Sequence, residues 1–236
     1  MGRFGIYVHV PYCLKQCAYC DFFTMPMTRA RSEHFSPYLT ALFQDMEESL
    51  PSFADRPIST IFFGGGTPSL LKPSELEQIL TSLQNHCRFT EDVEITLEIN
   101  PESIDADKAR DFLNAGVNRA SMGVQSLYRE ELKLLGRLHA PESSVAAYKA
   151  LRKAGFDNIS LDFIYGRPSQ TVSSWEQELK EIREWQTEHL SLYELILEPG
   201  TAMTRAVNAG TLTLPSEEDR LEMYRLCRAI LLDDGW

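Results

Sequence analysis

What this sequence does not contain narrows it first. None of its 236 residues belongs to an apolar run long enough to cross a bilayer, which takes about 20 residues. The opening stretch MGRFGIYVHVPYC lacks the basic, apolar and small-residue order of a secretory leader, so the expected compartment is the cytoplasm. Positive charge is scarce: 23 Lys and Arg face 34 Asp and Glu, a formal net charge of −11. That balance argues against nucleic acid or an anionic membrane as the main partner. There is no low-complexity segment and no long like-charge tail. Cysteines number only five, an odd count that does not suit a disulfide framework in a chain without a leader. Cys87 and Cys227 fall in helix-like segments, where a free thiol serves as a small hydrophobe. The other three crowd into PYCLKQCAYCDFF, residues 11 to 23, with no fourth beside them.

What is present reads as one α/β domain. The apolar share of 43% and charged share of 24% are ordinary for a globular protein of this length. Runs rich in β-branched and aromatic residues predict strands over 5–10, 59–64, 93–100, 119–124, 158–166 and 189–197. Helical periodicity predicts helices near 34–50, 73–86, 105–115, 128–136, 142–155, 172–187 and 217–233. Ser74 with Glu77 after Pro73 has the form of a capping box, and Ser or Asp in PESID, PESS and PSEED offers further caps. Alternating strands and helices imply a parallel sheet, either doubly wound or a (β/α) barrel. The unusual residues favour the barrel, because they sit at strand end after strand end: the cysteines, Gly64-Gly65-Gly66-Thr67, Glu98 with Asn100, Gln125, Asp162 with Tyr165, and Glu198. A barrel gathers such ends on one face, whereas a doubly wound sheet concentrates its site at one switch point.

Three thiols in a C-x3-C-x2-C spacing after a strand can converge on one point. A core stripe is a poor account of them, given Pro11 and the strand-to-helix connection. Zinc needs a fourth ligand, with His9, Asp21 and His34 as the nearest candidates, or a water. A [4Fe-4S] cluster held by three cysteines instead leaves one iron open to a cofactor or substrate. Elsewhere, Glu98 closes an otherwise apolar strand, where a carboxylate needs a partner such as Arg137 or a ligand ammonium. Arg137 suits a carboxylate by bidentate geometry, and the plain alternative is a structural ion pair. Gln125 and Asp162 are further polar groups at strand ends. His9, His139 and His189 read as structural.

Cys13-x3-Cys17-x-Tyr19-Cys20 resembles the cluster motif of the radical S-adenosylmethionine superfamily. YVHVPYC, FFGGGTPS, LEINPES, SMGVQS, LGRLHA, DFIYGRP and LSLYELILEPGT, in that order, resemble its branch of oxygen-independent coproporphyrinogen III oxidases and HemW-type heme chaperones. The resemblance runs from about Tyr7 to the end of the chain. It implies a partial (β/α)6 TIM-like barrel spanning residues 1–236, without the family's C-terminal domain. It implies that Cys13, Cys17 and Cys20 hold three irons and that S-adenosylmethionine chelates the fourth. It further implies that one electron from the reduced cluster would cleave the sulfonium to methionine and a 5′-deoxyadenosyl radical. It also implies S-adenosylmethionine contacts from Tyr7, Tyr19, Gly65, Gly66, Thr67, Glu98, Gln125, Arg137, Asp162 and Ile196.

Within the branch, the oxidases carry a further cysteine where this chain has Phe22, and a longer segment before the first strand. Both departures, with YELILEPGT, point to a heme chaperone. The expected ligand is heme, with an acceptor protein for the heme and an electron donor as partners. The alternative is oxidative decarboxylation of porphyrinogen propionates to vinyl groups. The chaperones' H-N-x-x-Y-W heme motif is not in this sequence, which ends at LLDDGW with Gly235 as a cap signal. Arg167 stands where the family more often has an apolar residue.

Overall fold

A computed structural model describes residues 2–27 and 31–233. Its strands are β1 (Phe4–Val10), two short pieces β2 (Tyr12–Cys13) and β3 (Met25–Pro26), then β4 (Ile58–Gly65), β5 (Phe89–Ile99), β6 (Arg119–Gln125), β7 (Ile159–Tyr165) and β8 (His189–Glu194). The helices are α1 (Arg31–Ser49), α2 (Pro73–His86), α3 (Ala106–Asn114), α4 (Arg129–Leu135), α5 (Pro141–Ala154), α6 (Val172–Arg183), α7 (Ala202–Asn208) and α8 (Glu217–Asp233). The side chain of His34, and Gly235 and Trp236, lie outside the described residues.

The six long strands form one sheet in the order β1-β4-β5-β6-β7-β8, each parallel to the next. This order never reverses, so the sheet has no switch point and is not doubly wound. It is an arc with edges at β1 and β8, a partial barrel whose strands all end on one side. Central β7 is buried along nearly its whole length, as a parallel strand covered on both faces must be. Edge strand β8 is mostly exposed or half-buried. Ile58, Phe63, Leu97, Val124, Leu161 and Phe163 are sealed in one continuous core. Each such side chain contributes about 1.5–3 kcal/mol by leaving water. Among the described residues no helix is long and apolar enough to cross a membrane.

Several local expectations shift. The cap of α2 is not Ser74 with Glu77. Pro73 takes the first helical position, so the start moves back to Lys72, whose N–H donates to Glu75 Oε2 at 2.8 Å. Pro141 likewise starts α5, after Ala140 and without a side-chain cap. Asp105 and Ser216 do accept backbone N–H groups at the starts of α3 and α8. Helix α6 stops at Arg183 and β8 at Glu194, both short of the periodic pattern. Helix α7 was not expected; Thr201 caps it by accepting from Thr204 N at 3.2 Å. Cys87 and Cys227 are buried as expected, though Cys87 follows α2 rather than lying within it. Cys227 packs against Trp175 of α6, and burial pushes its thiol up to about 11.

Candidate functional site

The cysteine loop is tied down at both ends and in its middle. Met25 N donates to Pro11 O and Met27 N to Cys13 O, each at 2.7 Å, closing β2 against β3. Ala18 N donates to Leu135 O at the end of α4, and Ala18 O accepts from Met203 N at the start of α7. The glycine run secures the loop to the sheet: Gly66 N donates to Val10 O and Thr67 N to Tyr12 O, at 2.7 and 2.8 Å. A Cβ on Gly66 would stand 2.7 Å from Tyr12 O, so only glycine lets these backbones approach. The space above Gly64 and Gly65 is occupied too, by Tyr7 and the His9 ring. The run's first task is therefore to make room for β1 and the cysteine loop.

At the strand ends lies a cavity of about 350 Å³, large enough for a small-molecule cofactor. Cys13, Cys17 and Cys20 line it together with Tyr19, Gly65, Gly66, Thr67, Glu98, Gln125, Arg137, Asp162 and Ile196. Tyr7 does not line it. That ring is 58% exposed, stacked on Phe62, with its hydroxyl 3.3 Å from His9 Nδ1. Phe22 lines the mouth and is 64% exposed.

The wall is wired through contacts between residues far apart in sequence, and through Ser121, which does not stand out in the sequence. Asn100, just past β5, accepts from Arg137 Nη2 at 2.5 Å and donates to Thr67 Oγ1 at 3.0 Å. Thr67 in turn reaches Cys13 Sγ at 3.5 Å, and Arg137 Nη1 reaches Cys17 Sγ at 3.6 Å. Ser121 donates to both carboxylate oxygens of Asp162, at 3.3 and 3.1 Å. The period-2 alternation of Ser121, Gly123 and Gln125 along β6 is the signal that could have put Ser121 on the cavity wall.

Glu98 does not pair with Arg137. Its carboxylate accepts from Gly65 N at 3.2 Å, while Arg137 is drawn to Cys17, Asn100 and Gly123 O. Burial, helped by the charge of Asp162 and opposed by the Gly65 N–H, pushes Glu98 up to about 7. Burial also raises Asp162, against the hydroxyls that hydrogen-bond it. Burial lifts the Cys13 and Cys20 thiols above their ordinary range, with neighbouring sulfurs adding to it. His139 is buried, with Nε2 3.1 Å from Val124 O and Nδ1 3.3 Å from Glu102. His189 meets Ser160 Oγ at 2.9 Å, and His9 Nε2 meets Phe23 O at 2.9 Å. All three act within the scaffold.

This donor set fits an iron–sulfur cluster with S-adenosylmethionine. Among the described residues, no three His, Cys, Asp or Glu side chains converge closely enough to hold one metal ion. Three free thiols instead ring a shared space, where each can meet a different iron. Beside them, Arg137 Nε has no partner, and Glu98 has no cation among the described residues. Carboxylate and ammonium groups on one ligand complement that pair.

Comparison with known proteins agrees. The family model of the radical SAM superfamily matches residues 7–182. The zebrafish protein called radical S-adenosyl methionine domain-containing protein 1, mitochondrial, is 36% identical over 98% of this chain and 52% of its own length. The heme chaperone HemW of Bacillus subtilis is 34% identical over 93% of this chain and 58% of its own. Among solved structures, the coproporphyrinogen III oxidase HemN of Escherichia coli superposes with a TM-score of 0.85 and 31% identity. It covers 98% of this chain and 52% of that one. The chain thus spans about half the length of the relatives it matches.

Proposed function

The chain belongs to the radical SAM superfamily, and from that premise we propose that it is the S-adenosylmethionine-binding core of a HemW-like heme chaperone. The observation that carries the cofactor assignment is one cavity lined by three free cysteines, Arg137 and Glu98 at the ends of parallel strands. In this reading Cys13, Cys17 and Cys20 hold a [4Fe-4S] cluster and leave one iron to S-adenosylmethionine. When bound, the pair supplies one-electron radical chemistry.

The chain's own groups bind and orient. Arg137 presents a guanidinium to the methionine carboxylate, held in place by Asn100 Oδ1 and Gly123 O. Glu98 takes the methionine ammonium, which draws its raised pKa back down. Asp162, oriented by Ser121, accepts from a ribose hydroxyl, and Gln125 lies beside it on the cavity wall. Tyr19 and Ile196 cover the adenine, and Tyr7 supports the Glu98 end from outside the cavity. Backbone hydrogen bonds at Ala18 and Thr67 fix the loop that carries the three sulfurs.

Heme as ligand, an acceptor protein and an electron donor belong to this same reading. So does a reducing compartment, the cytoplasm being the first choice, since the three thiols must stay unoxidised. The chaperone is favoured by Phe22, where the oxidases have a cysteine, and by relatives named for heme chaperoning. The structural likeness to HemN keeps oxidative decarboxylation of porphyrinogen propionates as the second reading. Anaerobic reconstitution is expected to yield about four iron and four sulfide per chain, and stoichiometric zinc without sulfide overturns the cluster. For the full-length protein, stoichiometric heme binding without turnover of coproporphyrinogen III supports the chaperone. Turnover without tight heme binding replaces it with the oxidase.

A further inference from the structure

Among the described residues Arg167 is the largest charged side chain sealed from water, and none of the contacts above uses it. It is 0% exposed and lies just past β7, after Gly166. Its Nη2 pairs with Glu178 of α6, itself 0% exposed, and with Glu131 of α4 at 2.8 Å. Two carboxylates against one guanidinium is more than a neutral structural pair requires. The excess is explained by what the carboxylates hold. Glu178 Oε1 accepts from Leu127 N at 2.7 Å and from Ser126 Oγ at 2.9 Å. Glu131 Oε2 lies 2.7 Å from the same Ser126 Oγ, so the two carboxylates share its single hydrogen. Arg167 Nη1 itself donates to Gln125 O at 3.0 Å. The three charged groups therefore grip three consecutive residues, Gln125, Ser126 and Leu127.

That segment needs gripping. Gln125 has φ +68°, a left-handed conformation that strains a non-glycine residue. The β6–β7 register slips between Gly123 and Gln125, leaving Val124 as an extra residue. The slip and the left-handed turn place the Gln125 side chain over Gly123, where an added Cβ would stand 2.9 Å from Gln125 Nε2 and 3.4 Å from Arg137 Nη2. The amide thus sits on the cavity wall beside Arg137.

We infer that Arg167, with Glu178 and Glu131, is a positioning group that holds Gln125 in its strained conformation and so aims its amide at the bound nucleoside. This use rests on the S-adenosylmethionine reading. Arg167 touches neither the cavity nor the cysteines, and a straight aliphatic side chain at this position could fill the space without holding the Gln125 carbonyl.

The test compares the reconstituted wild type with Arg167→Lys, Gln125→Ala and the double variant. S-adenosylmethionine affinity is read by calorimetry and the Ser126 and Leu127 amides by hydrogen exchange. Arg167→Lys keeps a charge for Glu178 but loses the fork. We expect unchanged iron content, about tenfold weaker S-adenosylmethionine binding, faster exchange at Ser126 and Leu127, and no further loss in the double variant beyond Gln125→Ala alone. Should Arg167→Lys fail to fold, Arg167→Met with Glu178→Gln removes both charges and serves the same comparison. Wild-type affinity in the folded variant, or losses that simply add, overturns the inference. A wild type that binds no S-adenosylmethionine overturns the proposed function instead, and slow exchange lost in Arg167→Lys would still show the grip on the segment.

Discussion

Two arginines clamp the same end of β6 in opposite electrostatic settings. Arg137 donates to Gly123 O at 3.1 Å and Arg167 to Gln125 O at 3.0 Å, one strand pleat apart. Arg167 is closed off from water and faces two carboxylates. Arg137 borders a cavity and makes no ion pair among the described residues; its partners are a thiol, an amide oxygen, a carbonyl and Tyr19, with the Glu102 charge acting from beyond ion-pair distance. A buried charge paired with carboxylates belongs to the scaffold, since breaking the pair strands the other member, even with Arg167 Nε left without a hydrogen-bond partner. A charge left short of anions beside an open space is reserved for one that arrives. Glu98 completes the contrast as an anion left short of a cation across the same cavity.

The comparison is broken hardest by removing Glu178. Glu178→Leu leaves Arg167 sealed with one carboxylate and strips the Leu127 N–H of its acceptor. Chemical denaturation is expected to show a loss of about 3–5 kcal/mol; a loss below about 1 kcal/mol would mean the network is not scaffold. Arg137→Met should reverse the pattern. S-adenosylmethionine binding drops by about 2–5 kcal/mol, while stability drops by only about 1–2 kcal/mol for the lost hydrogen bonds. A variant that binds normally, or melts as badly as Glu178→Leu, erases the distinction.

A third test is the pH signature of Glu98. Its folded pKa of about 7 lies above its ordinary 4.5, so the fold holds a proton that the unfolded chain has released. Stability of the cofactor-free protein therefore falls as pH rises from about 4.5 to about 7, and Glu98→Gln flattens that slope. S-adenosylmethionine affinity runs the other way over the same window, strengthening as the carboxylate forms. Parallel pH profiles for wild type and Glu98→Gln, in melting and in calorimetry, count against the assignment.

Much of the site was readable residue by residue, because its pieces are local. Cys13, Cys17 and Cys20 lie within eight positions, and the glycine run follows its strand directly. Asn100 was visible as a strand end, but not as the link between Thr67 and Arg137, which lie 33 residues before it and 37 after. The Ser74 cap failed because Pro73 shifted a boundary by a residue or two, a choice among near-equal local options. Helix α7 was missed because it spans only seven residues, too few for a periodic pattern, and its Met203 is buried in a cluster with Leu135.

By itself, then, the sequence determined the alternation of strand and helix, the three-thiol spacing and the placing of polar residues at strand ends. Those follow from periodicity and spacing over a few residues. Only the tertiary structure decided that the strands run in unbroken order around an arc, that Glu98 and Arg137 stay apart, and that Arg167 meets Gln125, Glu131 and Glu178. Each of these is a competition among partners distant in sequence. Its outcome depends on which charges are brought out of water together, and only the folded packing sets that.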